Sequence, residues 1–271
     1  VMLIACITIL LGTIYPIIIE VLTNKRISVG APYFNSTALP ILLPGFLLMS
    51  IAPILSWQTN KISKYKYYLF FFIFISIVTT AINFFSFFNT WGFIGILLSL
   101  FIIVSSLFSL YNNCRTHGLK KFLIYNNALI AHIGVGIMVL GITCSSIFQS
   151  DFNDSFKINE KKQIGKYLYE LKTIDIYQNK NYQELVATFN IYHNNKIIVK
   201  IKPSKRYYYV TKMITTEVGL YHDWFKDIYM VLGDENNDRW NIKVYENPLV
   251  NFIWYGVILM VFSGLLGIRK R

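Results

Sequence analysis

The chain has 271 residues, of which 54% are hydrophobic and 17% aromatic, and its mean hydropathy of +0.45 indicates an integral membrane protein. The net charge is +12, but every acidic residue except Glu20 lies between Asp151 and Glu246, so the basic surplus belongs to loops that flank membrane segments and does not indicate a nucleic-acid-binding surface. The three cysteines form no CxxC pair, so the sequence supports neither a thiol-redox motif nor a zinc cluster.

Six apolar segments are predicted to cross the membrane as helices. Five of them come first, over residues 2–19, 37–57, 65–85, 91–110 and 123–148, and the last covers residues 249–268. The sequence therefore predicts a polytopic α-helical membrane protein with a membrane domain over residues 1–148. A polar domain follows over residues 149–248, and a last span with a basic tail covers residues 249–271.

The second segment contains Pro40, Pro44 and Pro53, which predicts a bent or partly unwound helix that packs inside protein rather than against lipid. The loop before it, residues 20–36, is predicted to make a fixed turn at Gly30 and Pro32 that ends in an aromatic tip.

Lysine and arginine residues in the short loops predict the orientation. The loops after the second and fourth segments and the tail after the sixth all fall on one side, and they hold Lys61, Lys64, Lys66, Arg115, Lys120, Lys121, Arg269, Lys270 and Arg271. That side is predicted to be the cytoplasm or the matrix. The polar domain then faces the periplasm or the intermembrane space, in a bacterial or mitochondrial inner membrane.

The polar domain has the alternation of β-strands. Ala187, Phe189 and Ile191 fall on one face, residues 193–195 suit a turn, and a returning strand follows over residues 197–201. A second hairpin is predicted from residues 227–232, through a turn at 233–238, to residues 240–244. We predict a small all-β barrel or sandwich, inserted on the outer face between the fifth and sixth spans.

His132 is an ionisable residue within the fifth span, and such residues are functional-site candidates by default. Imidazole is a common ligand of metals and haem. Ala128, His132 and Gly136 fall on one helical face, and the two small residues leave room beside the imidazole for a porphyrin or for another helix. Small residues on one face are also an ordinary helix-packing device in membranes, so both interpretations stay open.

Several segments carry a resemblance to a known family. They are Leu11–Pro16 (LGTIYP), Ile27–Asn35 (ISVGAPYFN), Ala131–Gly134 (AHIG), Pro203–Tyr207 (PSKRY), Thr216–Gly219 (TEVG) and Asp227–Gly233 (DIYMVLG). In order and spacing the chain resembles the C-terminal half of CcmF, the cytochrome c haem lyase component of system I cytochrome c maturation. The resemblance covers essentially the whole chain.

The resemblance implies that His132 is an axial ligand to the iron of a haem b. With a haem at His132, the helical spacing predicts that Gly136 and Ala128 face it. It implies a lyase that forms thioether bonds between haem and the CxxCH motif of apocytochrome c on the outer face. The expected partners are an N-terminal half with the other haem ligands and a tryptophan-rich signature, a haem-delivery subunit, and apocytochrome c with the subunit that presents it. The catalytic residues are not identified, and the chain is not expected to be active alone.

Two other functions fit the residues. A non-enzymatic membrane scaffold or transporter half is suggested by the prolines of the second span. A quinone-linked haem b protein is a further alternative. Of the remaining histidines, His117 and His193 are interpreted as solvent-facing, and His222 lies on the outer side without a match in the family pattern. Lys205 and Arg206 could meet haem propionates, although a solvated strand edge is the favoured interpretation.

Overall fold

The computed structural model describes residues 1–25, 27–54, 62–85, 90–117 and 126–268. It divides into two compact units, residues 1–139 with 255–271, and residues 140–254. The six described helices are α1 (Met2–Thr23), α2 (Ala31–Ile51), α3 (Ile62–Phe85), α4 (Thr90–His117), α5 (Asn127–Ile147) and α6 (Asn251–Ile268).

Five described helices are long and apolar enough to cross a membrane, over Met2–Thr23, Ala31–Ile51, Thr90–Arg115, Asn127–Ile147 and Asn251–Ile268. The chain is therefore a multi-pass membrane protein. Within α3, the apolar stretch is the shorter Phe72–Ala81. Six of the basic residues that predict the orientation lie outside the described residues, namely Lys61, Lys120, Lys121, Arg269, Lys270 and Arg271.

The second span differs from its prediction in two ways. It begins at Ala31 rather than at residue 37, because Gly30 is extended at the N-cap and Pro32 occupies the first turn, where proline fits a helix. Pro40 and Pro44 lie inside a continuous helix, so the prediction of an unwound span was wrong for these residues. Membrane helices accept proline because neighbouring groups can satisfy the freed carbonyls.

The predicted aromatic tip is instead part of a helix contact. The Tyr33 and Phe34 rings lie against Gly12 of α1, and the Tyr33 hydroxyl donates a hydrogen bond to the Thr8 carbonyl at 3.4 Å. A Cβ at Gly12 would lie 3.1 Å from the Phe34 ring and closer still to the Tyr33 ring. The glycine in α1 therefore makes space for the aromatic residues that begin α2.

Ten strands follow α5 in the order β1 (Ser150–Phe156), β2 (Lys161–Ile164), β3 (Tyr167–Gln178), β4 (Tyr182–His193), β5 (Lys196–Ile201), β6 (Ser204–Tyr208), β7 (Ile214–Glu217), β8 (Gly219–His222), β9 (Lys226–Asn236) and β10 (Arg239–Pro248). One sheet has the order β1-β10-β9-β8. The other has the order β2-β3-β4-β6-β7, with β5 also paired to β4. All the pairings are antiparallel.

The two sheets share one hydrophobic core, which makes the domain a β-sandwich. The inward faces of β3, β4, β9 and β10 supply fully buried side chains, among them Leu171, Phe189, Met230 and Val244. The alternation predicted for β4 is confirmed, since Ala187, Phe189 and Ile191 are all buried in this core. The inserted all-β fold follows from this alternation.

Both predicted hairpins are also confirmed. Asn194 and Asn195 have φ values of 49° and 60°, and Asn237 and Asp238 have 53° and 59°. Two consecutive residues of positive φ are typical of a type I′ hairpin turn, which asparagine tolerates. The second turn is shorter than predicted, because β9 continues to Asn236.

A buried carboxylate links strands β2, β3 and β4 of one sheet. Glu170 on β3 is 3% exposed, and its carboxylate accepts hydrogen bonds from the Tyr192 hydroxyl and from Asn190 Nδ2 at 3.4 Å. Lys172 Nζ lies at 2.9 Å and Lys161 Nζ at 3.8 Å. Burial alone would raise the pKa of Glu170, but the hydrogen bonds from Tyr192, Lys172 and Asn190 and the charge of Lys161 outweigh burial, and the pKa lies below its ordinary value of 4.5.

We expect Glu170→Gln to lower the stability of the β-sandwich at pH 7 by about 1–2 kcal/mol, because the amide keeps the shape but loses the charged hydrogen bonds. The folded-state pKa is depressed, so the ionised carboxylate stabilises the fold above pH 4.5. That contribution disappears as the pH falls through the folded-state pKa. The measurement is thermal unfolding of the full chain in detergent between pH 3 and pH 7. As the pH is lowered, the thermal midpoint of the variant should fall less than that of the wild type. Asp238→Asn, in an exposed turn, is the control. If the midpoints of wild type and Glu170→Gln fell equally as the pH is lowered, this would contradict a stabilising role for ionised Glu170.

Candidate functional site

His132 lies in the first half of α5, an apolar helix that begins at Asn127. The helix carries three glycines, Gly134, Gly136 and Gly141. The contacts of these glycines show which faces of α5 are covered by neighbouring residues.

Gly134 lies on the face of α5 that packs against α6. A Cβ at Gly134 would lie 2.7 Å from the Gly256 carbonyl oxygen, and a Cβ at Gly256 would lie 2.7 Å from the Met138 amide nitrogen. Two helix backbones therefore meet at a pair of glycines, which is the close approach typical of membrane helices. Further along, the Ser263 hydroxyl donates a hydrogen bond to the Asn127 carbonyl. The contact between Gly134 and Gly256 was not predicted, although both spans contain several glycines, which are typical of helix contacts in membranes.

Gly136 faces α4. A Cβ there would lie 2.6 Å from Ile103 Cγ1 and 3.1 Å from the Ser99 carbonyl oxygen. The absence of a side chain at this position is thus explained by helix packing, the alternative weighed for the small residues of this face. Ala128, two turns earlier on the same face, is exposed. The face that holds His132 is therefore covered by α4 at Gly136 and open at Ala128.

The His132 imidazole has an unsatisfied nitrogen. Its Nδ1 atom is buried and has no hydrogen-bond partner among the residues that the structure describes. An unpaired buried polar atom costs about 1–3 kcal/mol, and it requires an explanation such as an ion or ligand that the nitrogen meets. An imidazole nitrogen without a protein partner fits a ligand of haem iron. Ala128, one turn earlier on the same face, is exposed.

Within the described part of the chain, no three His, Cys, Asp or Glu side chains lie close enough together to hold a metal ion. His132 would therefore act as a single ligand from the described part of the membrane unit, and not as a member of a metal-binding cluster. Any second axial ligand would have to come from elsewhere.

The other histidines occupy different settings. His193 is exposed at the end of β4, as predicted, and His117 is the last residue of α4. His222 on β8 places Nδ1 at 2.9 Å from Asp227 Oδ2. Asp227 is 8% exposed, and its other carboxylate oxygen accepts a hydrogen bond from Asn251 Nδ2 at 3.0 Å. This link between β8, β9 and the start of α6 was not predicted from the sequence.

Lys205 and Arg206 line an open groove of the sandwich, with a cavity volume of about 320 Å³. Both cations are engaged within the domain. Arg206 Nε contacts Glu184 Oε1 at 2.9 Å, Arg206 Nη1 lies 3.3 Å from Glu217 Oε1, and Lys205 pairs with Asp234. The hydrogen bond to Glu184 raises the pKa of the Arg206 guanidinium. These pairs favour a structural role over the binding of haem propionates.

Residues 147–248 match the family model described as the CcmF C-terminal beta-sandwich. The chain is similar to the cytochrome c-type biogenesis protein CycK of Bradyrhizobium diazoefficiens, with 27% identity over 99% of this chain and 43% of the relative. Its identity to the cytochrome c-type biogenesis protein NrfE of Haemophilus influenzae is 28%, over 99% of this chain and 43% of the relative.

Identity to the cytochrome c-type biogenesis protein CcmF of Pseudomonas fluorescens is 26%, over all of this chain and 42% of the relative. A solved structure, Cytochrome c Heme Lyase CcmF, superposes with a TM-score of 0.69 and 17% identity, over 97% of this chain and 43% of that one. At this identity the superposition supports the fold. The chain spans about two fifths of the length of the relatives that it matches.

Proposed function

We propose, on the premise that this chain is a CcmF-family protein that corresponds to the C-terminal part of its relatives, that it forms part of a cytochrome c haem lyase. In this proposal the membrane unit holds a haem b through His132, and the assembled protein attaches haem covalently to apocytochrome c on the outer face. The homologues are named for cytochrome c biogenesis, which supports the general role.

The observation that carries the haem proposal is the buried Nδ1 atom of His132, which has no partner among the described residues. The side chain lies on a helix that can cross the membrane, where an unused imidazole is costly. A bound haem b would supply one-electron redox chemistry at this position. His132 would hold and orient it, and α4 and α6 would fix the position of α5 through the Gly136 and Gly134 contacts.

In this proposal, partners supply the reacting groups and the other haem ligand. Thioether formation requires the vinyl groups of the substrate haem and the two thiols of a CxxCH motif, which arrive with the haem-delivery subunit and with apocytochrome c. The second axial ligand of haem b would come from the N-terminal half of the protein. The β-sandwich, between two spanning helices, would contribute a rigid surface on the side where apocytochrome c is presented.

The transporter alternative depended on a second span broken at Pro40, Pro44 and Pro53. The continuity of α2 at Pro40 and Pro44 weighs against it, while the helix ends at Ile51, before Pro53. The quinone-linked haem b alternative shares the His132 ligand with the lyase proposal, and so only an assay of product separates the two.

The test is covalent haem attachment in cells. A strain that lacks this chain is supplied with the wild-type chain, together with the N-terminal half and a reporter apocytochrome c, and haem-stained protein is measured on a denaturing gel. We expect the haem-stained reporter only when the chain is present. A chain that copurifies with haem b but leaves reporter attachment unchanged would overturn the lyase proposal and favour the quinone-linked alternative.

A further inference from the structure

The turn between β8 and β9 presents two large aromatic side chains to the outside. Trp224 is 73% exposed and Phe225 is 64% exposed, and they are adjacent in the chain. Single exposed hydrophobic residues are common on proteins, but a neighbouring tryptophan and phenylalanine at the tip of a turn indicate an interaction surface.

This turn is fixed to the residues that begin α6. Asn251 Nδ2 donates a hydrogen bond to the Asp223 carbonyl at 2.6 Å, and the Leu249 amide donates one to the Phe225 carbonyl at 2.6 Å. The Phe225 ring lies 6.3 Å from the ring of Phe252. The tip of the turn therefore lies at the level of the first turn of α6.

A second set of contacts holds the base of the turn. Asp227 Oδ1 accepts a hydrogen bond from Asn251 Nδ2, and Asp227 Oδ2 lies within hydrogen-bond distance of His222 Nδ1. The Asp223 amide also donates to the Lys226 carbonyl at 2.9 Å. Because the turn is fixed on both sides, the position of its aromatic residues follows the position of Asn251.

The length of α6 determines where Asn251 lies in the membrane. The helix has 18 residues, so it is about 27 Å long at a rise of about 1.5 Å per residue. The hydrocarbon core of a bilayer is about 30 Å thick. All of α6 is needed to cross it, so Asn251 lies at the boundary between hydrocarbon and headgroups. Trp254, one turn further on and 64% exposed, would lie just inside the same boundary.

We propose that Trp224 and Phe225 insert into the headgroup layer of the membrane beside α6 and anchor the β8–β9 turn to the lipid surface. Tryptophan is enriched at membrane interfaces because its ring is apolar and its N–H donates to polar groups. The depth set by α6 favours lipid over a soluble protein, which would have to enter the headgroup layer to reach this turn. The proposal rests on α6 crossing the membrane and does not depend on haem binding.

The test is a spin-label measurement of depth on the full chain in phosphatidylcholine nanodiscs. The three native cysteines are replaced by serine, and nitroxides are attached at Trp224→Cys and, as a matched control, at Asp238→Cys. Position 238 lies in an exposed turn at the opposite end of β9. Relaxation by oxygen, which concentrates in lipid, is compared with relaxation by a water-soluble nickel complex.

We expect a higher oxygen-to-nickel ratio at position 224 than at position 238. Equal ratios would place the turn in water, and protection of position 224 from both relaxants would place it against another protein chain; either result would overturn the proposal. A second measurement leaves the cysteines in place. Brominated lipids should quench more tryptophan fluorescence in the wild type than in Trp224→Phe, and equal quenching would also overturn the proposal.

Discussion

His132→Ala is expected to reduce the haem b absorption of the protein, copurified with its N-terminal half, to the background level. The reason is that the variant removes the imidazole whose buried Nδ1 atom has no partner among the described residues, which is the proposed ligand of the iron. The measurement is the dithionite-reduced minus oxidised visible spectrum, normalised to protein. Covalent haem attachment to the reporter apocytochrome c should fall with it.

A merely structural His132 would behave differently. Its Nδ1 atom has no partner among the described residues, so the haem-free protein loses no hydrogen bond from that atom in the alanine variant and should accumulate to the same level. His132→Gly should regain the spectrum when imidazole is added, because the small molecule can occupy the vacated position. His193→Ala, at the exposed end of β4, is the matched control. A wild-type spectrum in His132→Ala would sink the ligand assignment.

Gly256→Leu is expected to separate α5 from α6 and to lower the thermal midpoint of the protein by about 2–10 °C, which corresponds to a loss of about 1–3 kcal/mol. The new side chain would have to occupy space held by the Gly134 carbonyl oxygen and the Met138 amide. Backbone atoms cannot move aside as a flexible side chain can, so the helices themselves must shift. The measurement is thermal unfolding in detergent, together with the amount of protein recovered from membranes.

Gly264→Leu is the control on the same helix. No atom of the described residues lies within 4 Å of the Cβ position at Gly264, so this variant adds the same side chain without a clash with them and should leave the midpoint within about 1 °C. If the thermal midpoint fell equally in the two variants, the loss of stability would come from a leucine within α6 and not from the contact with α5. A partial loss in Gly256→Ala would support the close approach directly.

Much of the β-sandwich follows from local sequence. Alternation of apolar residues placed Ala187, Phe189 and Ile191 on the buried face of β4, and paired asparagines marked the turn at 194–195. These signals are local because a strand has a period of two and a tight hairpin needs positive φ at fixed positions. The order of strands in the two sheets was not predictable in this way, because β1 pairs with β10 and β4 pairs with β6, and local patterns do not connect these strands.

The helix boundaries show where local rules compete. Pro40, Pro44 and Pro53 predicted breaks in the second span, yet α2 continues through the first two and ends at Ile51, before the third. In water, such a helix would lose stability at each missing amide. In a membrane, leaving the helix would expose still more unsatisfied backbone groups, so the continuous helix is favoured.

The sequence by itself determined that this protein crosses a membrane, that a β-domain lies before its last span, and that His132 is an ionisable group within an apolar helix. Those features depend on composition and short-range period. Only the tertiary structure decided that Gly136 packs against α4 and Gly134 against Gly256, that Nδ1 of His132 lacks a partner among the described residues, and that the Trp224 turn is held to α6. These features depend on which residues far apart in the chain come into contact, and that depends on how the helices and strands pack.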